Sequence, residues 1–229
     1  MKDRAALLTG SRRIVVKVGT TQITEAGAFS PAKIDILAAA LAGLRQQHEV
    51  VLVSSGAVSA GIAAAGLQIK KSLSIPNKQA AAAIGQSVMM SEYARAFRKR
   101  GITIGQVLLT KDVMQSRERY RNACNTLATL LKLGVLPIVN ENDTMVIDEI
   151  KVGDNDRLAA MVAQLVAADL LVLLSDVDGF YRDFGTDHQE RLSVVASLDS
   201  AVRSLARSEG SKYSTGGMIT KLDAAEMCQ

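Results

Sequence analysis

Short runs of β-branched residues alternate along this chain with longer, Ala-rich amphipathic stretches, and that alternation restricts the fold more than any single residue does. Residues 14–18 read as a first strand. Ser30-Pro31 is a helix start, with Ser as the cap and Pro in the first turn, and apolar spacing carries that helix to about Gln46. A strand at 49–54 leads directly into a short helix at 56–65. A long helix at 77–100 ends in Arg98-Lys99-Arg100, cations suited to the negative end of the macrodipole, and Gly101 stops it. The pattern continues with a strand at 102–110, a helix at 116–133 and a strand at 135–140. A helix at 157–167 and a strand at 170–175 follow. A polar stretch at 176–191 is suited to a hairpin, and two further helices fall at 198–207 and 217–228. Strands separated by helices pair in parallel through right-handed crossovers. The expected fold is a three-layer α/β/α sandwich with a mostly parallel central sheet. Ligands of such sheets sit at the carboxyl ends of the strands, so functional residues are expected just after Val18, Ser54, Asn140 and Ser175.

Composition narrows what such a fold could serve. Apolar residues make up 48% of the 229, but aromatics only 3% with no Trp, so aliphatic side chains must build the core. The net charge of +4 is spread along the chain rather than gathered on a stripe beside stacking aromatics, which argues against nucleic acid. Cys124 and Cys228 are too few for a disulfide framework or a metal site. Lys2, Asp3 and Arg4 do not open a signal peptide. The most apolar stretch, at 165–174, is broken by Asp169 and is too short for a membrane. A soluble, cytoplasmic protein with no membrane partner is expected. GxxxxGK[ST], a strand-borne GxGxxG and GxSxG are all absent. His48, at a helix end, and His188, in a polar loop, make poor catalytic bases.

Six polar constellations remain. Lys17-Val18-Gly19-Thr20-Thr21 ends the first strand. A lysine inside such a strand is costly if buried unpaired, so it either points at an anion or belongs to a water-facing edge strand. Ser54-Ser55-Gly56-Ala57 opens a helix whose free N–H groups could hold an anion, or is an ordinary capped turn. Asn140-Glu141-Asn142-Asp143 and Lys151-Val152-Gly153-Asp154-Asn155-Asp156 are each compatible with plain loop chemistry. Two dense polar clusters close together at element junctions nonetheless favour a site. Ser175-Asp176 follows another strand, with Gly179 nearby. Thr215-Gly216-Gly217-Met218-Ile219-Thr220-Lys221 is a glycine turn with a lysine one turn into the next helix. Such a turn can cradle phosphates or merely start a helix.

Taken together and in this order, these segments resemble the glutamate 5-kinases of the amino acid kinase family. The resemblance runs from about Ile14 to the chain end and is carried by VVKVGT, SSGAVSAG, VNEND, EIKVGDNDRLAA and TGGMITKLDAA. It implies that Lys17 and Lys221 contact the phosphates of ATP, and that Asp156 holds the two lysines. Ser55, Asn140, Asp143 and Asn155 would be glutamate ligands, with Asp143 facing the substrate ammonium. Ser175 and Asp176 would bind nucleotide, together with Ser214, Thr215, Gly216, Gly217, Met218 and Lys221. It further implies Mg²⁺ carried by ATP rather than by protein ligands, a glutamyl 5-phosphate product that begins proline synthesis, and proline as a feedback inhibitor. A homo-oligomer is the expected assembly.

The chain departs from the family pattern in two respects. Ser214 stands where Gly usually precedes Thr215, removing one permissive backbone position. Similar proteins also continue past the last helix with further strands and often a small domain of the type found in RNA-modifying enzymes. Residues 1–229 are therefore expected to form a kinase domain lacking those strands and that domain. The alternatives are an N-acetylglutamate kinase, for which a carboxylate at Asp143 would have no ammonium to meet, and a nucleotide sensor without turnover, which would lack a phosphate lysine. An RNA-binding protein, the third, is disfavoured by the scattered charge.

Overall fold

A computed structural model describes residues 4–67, 74–145, 155–207 and 217–229. In chain order it contains α1 (Arg4–Gly10), β1 (Arg13–Lys17), β2 (Thr24–Glu25), β3 (Ala28–Phe29) and α2 (Pro31–Leu44). Next come β4 (Glu49–Val53), α3 (Ala57–Ala64), α4 (Ile75–Arg98), β5 (Ile104–Leu109), α5 (Arg117–Lys132) and β6 (Leu136–Glu141). Then follow α6 (Asn155–Leu165), β7 (Leu170–Leu173), β8 (Phe180–Arg182), β9 (Glu190–Leu192), α7 (Ser200–Arg207) and α8 (Met218–Met227). Ser116 caps α5 and Ser74 caps α4, each hydroxyl accepting from a backbone N–H three residues on. The long helix thus starts two residues ahead of its expected position.

Five strands form one parallel sheet in the order β5-β6-β4-β1-β7. β1 is therefore interior, flanked by β4 and β7, which rules out the edge-strand reading of Lys17. Side chains alternate across each strand. Ile14, Val16, Leu52 and Ile138 enter one buried cluster with residues of α2 and α4. Val15, Val51, Val53 and Val139 enter another with α5 and α6. The aliphatic composition fills both faces, as a covered parallel sheet demands. The polar 176–191 stretch does fold back, with β8 and β9 pairing antiparallel. Among the described residues, no helix is long and apolar enough to cross a membrane.

The α3–α4 pair is set by glycine. A Cβ built on Gly61 would lie 1.7 Å from the Ala81 carbonyl oxygen, and one on Gly85 would lie 1.7 Å from that of Ala57. The helices touch backbone to backbone, which holds the 54–57 turn against α4. Gly43, near the end of α2, meets nothing within 4 Å. Gly85→Ala and Gly61→Ala should each destabilise the protein by about 2–3 kcal/mol through forced separation of the helices. Gly43→Ala should stabilise it by about 0.5 kcal/mol through helix propensity alone. Chemical denaturation of the three variants checks both signs.

Candidate functional site

Strand parity aims the first functional side chain. Lys17 follows Val15 by two residues and so projects to the α6 face of the sheet. It is only 8% exposed. Asp156, at the start of α6, is 1% exposed and meets it there, with Lys17 Nζ 2.7 Å from Asp156 Oδ1. This is a close ion pair rather than a well-aligned hydrogen bond. The other oxygen, Oδ2, accepts from Thr220 Oγ1 at 2.7 Å and Lys221 Nζ at 3.3 Å, both on α8. Burial alone would raise the Asp156 pKa. The Lys17 ammonium, the Thr220 hydroxyl and the Lys221 charge together hold the carboxyl below its ordinary value. One buried anion thus fixes two cations at the ends of β1 and α8. Arg157 and Arg203 both pair with Asp223, at 2.7 and 3.0 Å, and tie α8 to α6 and α7.

Backbone around Lys17 leaves room for a close-approaching anion. A Cβ on Gly19 would fall 3.8 Å from Lys17 Nζ and 2.5 Å from Gln22 Oε1. That Gln22 oxygen is buried without a hydrogen-bond partner. Gly56 takes φ +93°, a conformation that suits glycine, and the Thr20 methyl lies 3.2 Å from where its Cβ would be. The loop after β1 therefore packs directly on the turn after β4.

A second polar group adjoins the first. Asn155 precedes Asp156 in the opening turn of α6, where a loop position had been expected. Its Nδ2 donates to the Ser54 carbonyl at 2.6 Å, Ser55 Oγ at 2.8 Å and Asn140 Oδ1 at 3.0 Å. Asn140 Oδ1 also accepts from the Glu141 N–H at 2.9 Å. Ser55, Asn140 and Asn155 are thus one connected cluster at the ends of β4 and β6. Asp143 lies three residues past Asn140. Burial, with the like charge of Glu141 added, pushes its carboxyl up to about 6.

The remaining candidates are less engaged. Ser175 and Asp176 follow β7 beside β1, where the Leu174 N–H donates to the Lys17 carbonyl at 2.9 Å. Ser175 Oγ is 3.4 Å from Asp176 Oδ1. Gly217 caps α8 and Met218 begins it. Ser214, Thr215 and Gly216 lie outside the described residues, as do Lys151 to Asp154 of the KVGDND string. Reasoning from sequence placed Thr220 in the glycine-turn segment but gave it no role of its own, although a hydroxyl beside Lys221 on the same helix was a usable cue. It missed Gln22, for which the sequence carries no signal.

The raised Asp143 pKa has a consequence for stability. The folded value of about 6 exceeds the ordinary 3.8. Ionisation therefore costs stability, with the penalty absent well below pH 3.8, growing between about 3.8 and 6, and complete above 6. Asp143→Asn should raise stability at pH 7.5 by about 1–2 kcal/mol and leave it nearly unchanged at about pH 2.5. Thermal unfolding at the two pH values checks this.

Residues 12–228 match the model of the amino acid kinase family. A glutamate 5-kinase from Streptomyces coelicolor is 48% identical over 221 residues, covering 95% of this chain and 59% of that protein. A glutamate 5-kinase from Clostridium acetobutylicum is 43% identical over 231 residues, covering 99% of this chain and 86% of that protein. The chain spans about three fifths of the length of several such relatives. Carbamate kinase from Giardia lamblia bound to AMP-PNP superposes with a TM-score of 0.65 at 14% identity, covering 96% of this chain and 90% of that one, which establishes the shared fold. With its parallel sheet, the polar groups at the strand ends and these matches, the chain belongs to the amino acid kinase family.

Proposed function

We propose that this protein transfers the γ-phosphoryl group of ATP to the side-chain carboxylate of L-glutamate. The observation that carries the reading is one buried carboxylate, Asp156, holding Lys17 and Lys221 on its two oxygens. Beside it lies an amide and hydroxyl cluster of Ser55, Asn140 and Asn155. Two fixed ammonium groups suit a triphosphate. Amide and hydroxyl groups suit the carboxylates of an amino acid, and a half-buried Asp143 suits its ammonium. The glutamate 5-kinase name of the relatives agrees.

The chemistry asks little beyond positioning and charge neutralisation. The acceptor carboxylate is ionised near neutral pH and needs no base. One of its oxygens forms a bond to the γ-phosphorus while the bond from that phosphorus to the β–γ bridging oxygen breaks, so ADP leaves with the electron pair. Lys17 and Lys221 offset the repulsion between the carboxylate and the triphosphate, and Asp156 keeps them aimed. Mg²⁺ held by the nucleotide would add further charge neutralisation. Lys17 and Lys221, held on Asp156, would share that neutralisation with the metal. Asp143 would pair with the substrate ammonium, and the energy lost by ionising it in a half-buried place would be recovered on binding.

With hydroxylamine present to trap the acyl phosphate, the protein should form hydroxamate from L-glutamate and ATP, and little from N-acetylglutamate or aspartate. Equal activity on N-acetylglutamate would overturn the reading, because that acceptor has no ammonium for Asp143. Asp143→Asn should raise the apparent KM for glutamate and leave that for ATP nearly unchanged.

Lys17→Ala and Asp156→Ala should each lower kcat by about a hundredfold or more. Because Asp156 acts through Lys17, the double variant should lose less than the product of the single losses. Steady-state kinetics of the four proteins measures the coupling, and full multiplicativity would show that the two act independently.

A further inference from the structure

Ser54 joins the two helical layers of the fold. It is fully buried, and its side chain follows the parity of Leu52 onto the α2/α4 face. There its Oγ lies 2.8 Å from the hydroxyl of Tyr93, which is also fully buried, and 3.4 Å from Met89 Sδ. Its own N–H donates to the Val139 carbonyl at 2.9 Å. Its carbonyl accepts from Asn155 Nδ2 at 2.6 Å, on the opposite face of the sheet. Ser54 is therefore held from three sides, its main chain by β6 and α6 and its hydroxyl by α4.

Packing alone does not ask for this hydroxyl pair. Phe97, one turn along α4 with its ring centroid 6.2 Å from that of Tyr93, fills the same cluster without one. A buried pair of hydroxyls contributes little net stability over apolar side chains of the same shape. What the pair does fix is the orientation of the peptide leading into Ser55. Asn155 Nδ2 has two hydrogens for three acceptors within 3.0 Å, so its amide settles where the Ser54 carbonyl, Ser55 Oγ and Asn140 Oδ1 allow. A shift of the Ser54 carbonyl by a few tenths of an ångström would redistribute those bonds.

We infer that Tyr93 is a positioning residue for the acceptor site, acting through Ser54 to set the Asn155 amide and Ser55 hydroxyl that receive the substrate carboxylates. The inference rests on the acceptor reading above. It concerns binding of the acceptor and not phosphoryl transfer, because the Lys17–Asp156–Lys221 contacts involve neither α4 nor Ser54.

The test compares wild type, Tyr93→Phe, Ser54→Ala and the double variant in the full chain. It records kcat, apparent KM for acceptor and for ATP, and the thermal midpoint. The acceptor is whichever amino acid the wild type phosphorylates. A wild-type preference for an acid other than glutamate would therefore count against the functional reading while the Tyr93 comparison still stands. Tyr93→Phe should raise the acceptor KM about fivefold, with kcat and the ATP KM changed by less than about twofold. In the Ser54→Ala background, Tyr93→Phe should add no further change in acceptor KM. A lower thermal midpoint with an unchanged acceptor KM would reduce Tyr93 to a core residue and overturn the inference. So would a parallel rise in both KM values. Should a single variant fail to fold, the double variant, which leaves neither hydroxyl orphaned, decides: an acceptor KM equal to wild type overturns the role.

Discussion

Burial of Asp156 is the constraint on which the rest of the site depends. A carboxylate at 1% exposure costs several kcal/mol unless its charge is met by geometry of high quality. Three groups from two elements meet it: Lys17 from β1 as an ion pair, and Thr220 and Lys221 from α8. That requirement holds α8 against α6 and the last side chain of β1 on the α6 face of the sheet. Removing one partner would leave an uncompensated charge in the core, so the same contacts that aim the lysines also hold three elements together.

Two consecutive residues of one helix serve different halves of the site. Successive side chains on a helix diverge by about 100°. Asn155 accordingly faces the ends of β4 and β6, while Asp156 faces β1 and α8. The proposed acceptor and phosphate halves are thereby held at a fixed spacing by a single turn of backbone. The parallel sheet supplies the remaining parts at one rim, since Lys17, Ser54, Asn140 and Ser175 all stand at or just past strand ends.

Much of the fold was legible because hydrophobic period and punctuation agreed. Gly101 and Gly134 both take positive φ just after helices, as their positions in the sequence suggest, and every expected strand is present within two or three residues. What escaped is short or depends on distant partners. α1 and the two-residue strands β2 and β3 carry no periodic signal, although Phe29 reaches the Gly56 turn. His48 lies with Nδ1 2.7 Å from the Ser11 carbonyl oxygen, a contact no local pattern announces. Within the site, charged residues stood out by type, whereas Thr220, Gln22 and Tyr93 matter only through neighbours far away in sequence.

The Asp156 cluster also bears on the order in which the chain matures. A protein emerging from its amino terminus completes β1 and α6 before α8 exists. At that stage the carboxylate has Lys17 but neither Thr220 nor Lys221, so α6 cannot settle against the sheet without retaining water or a proton at Asp156. Docking of α8 then dehydrates the carboxylate and sets the second lysine in the same event. Docking of α8 thus closes the electrostatic seal, and assembly of this part of the core coincides with assembly of the proposed phosphate site.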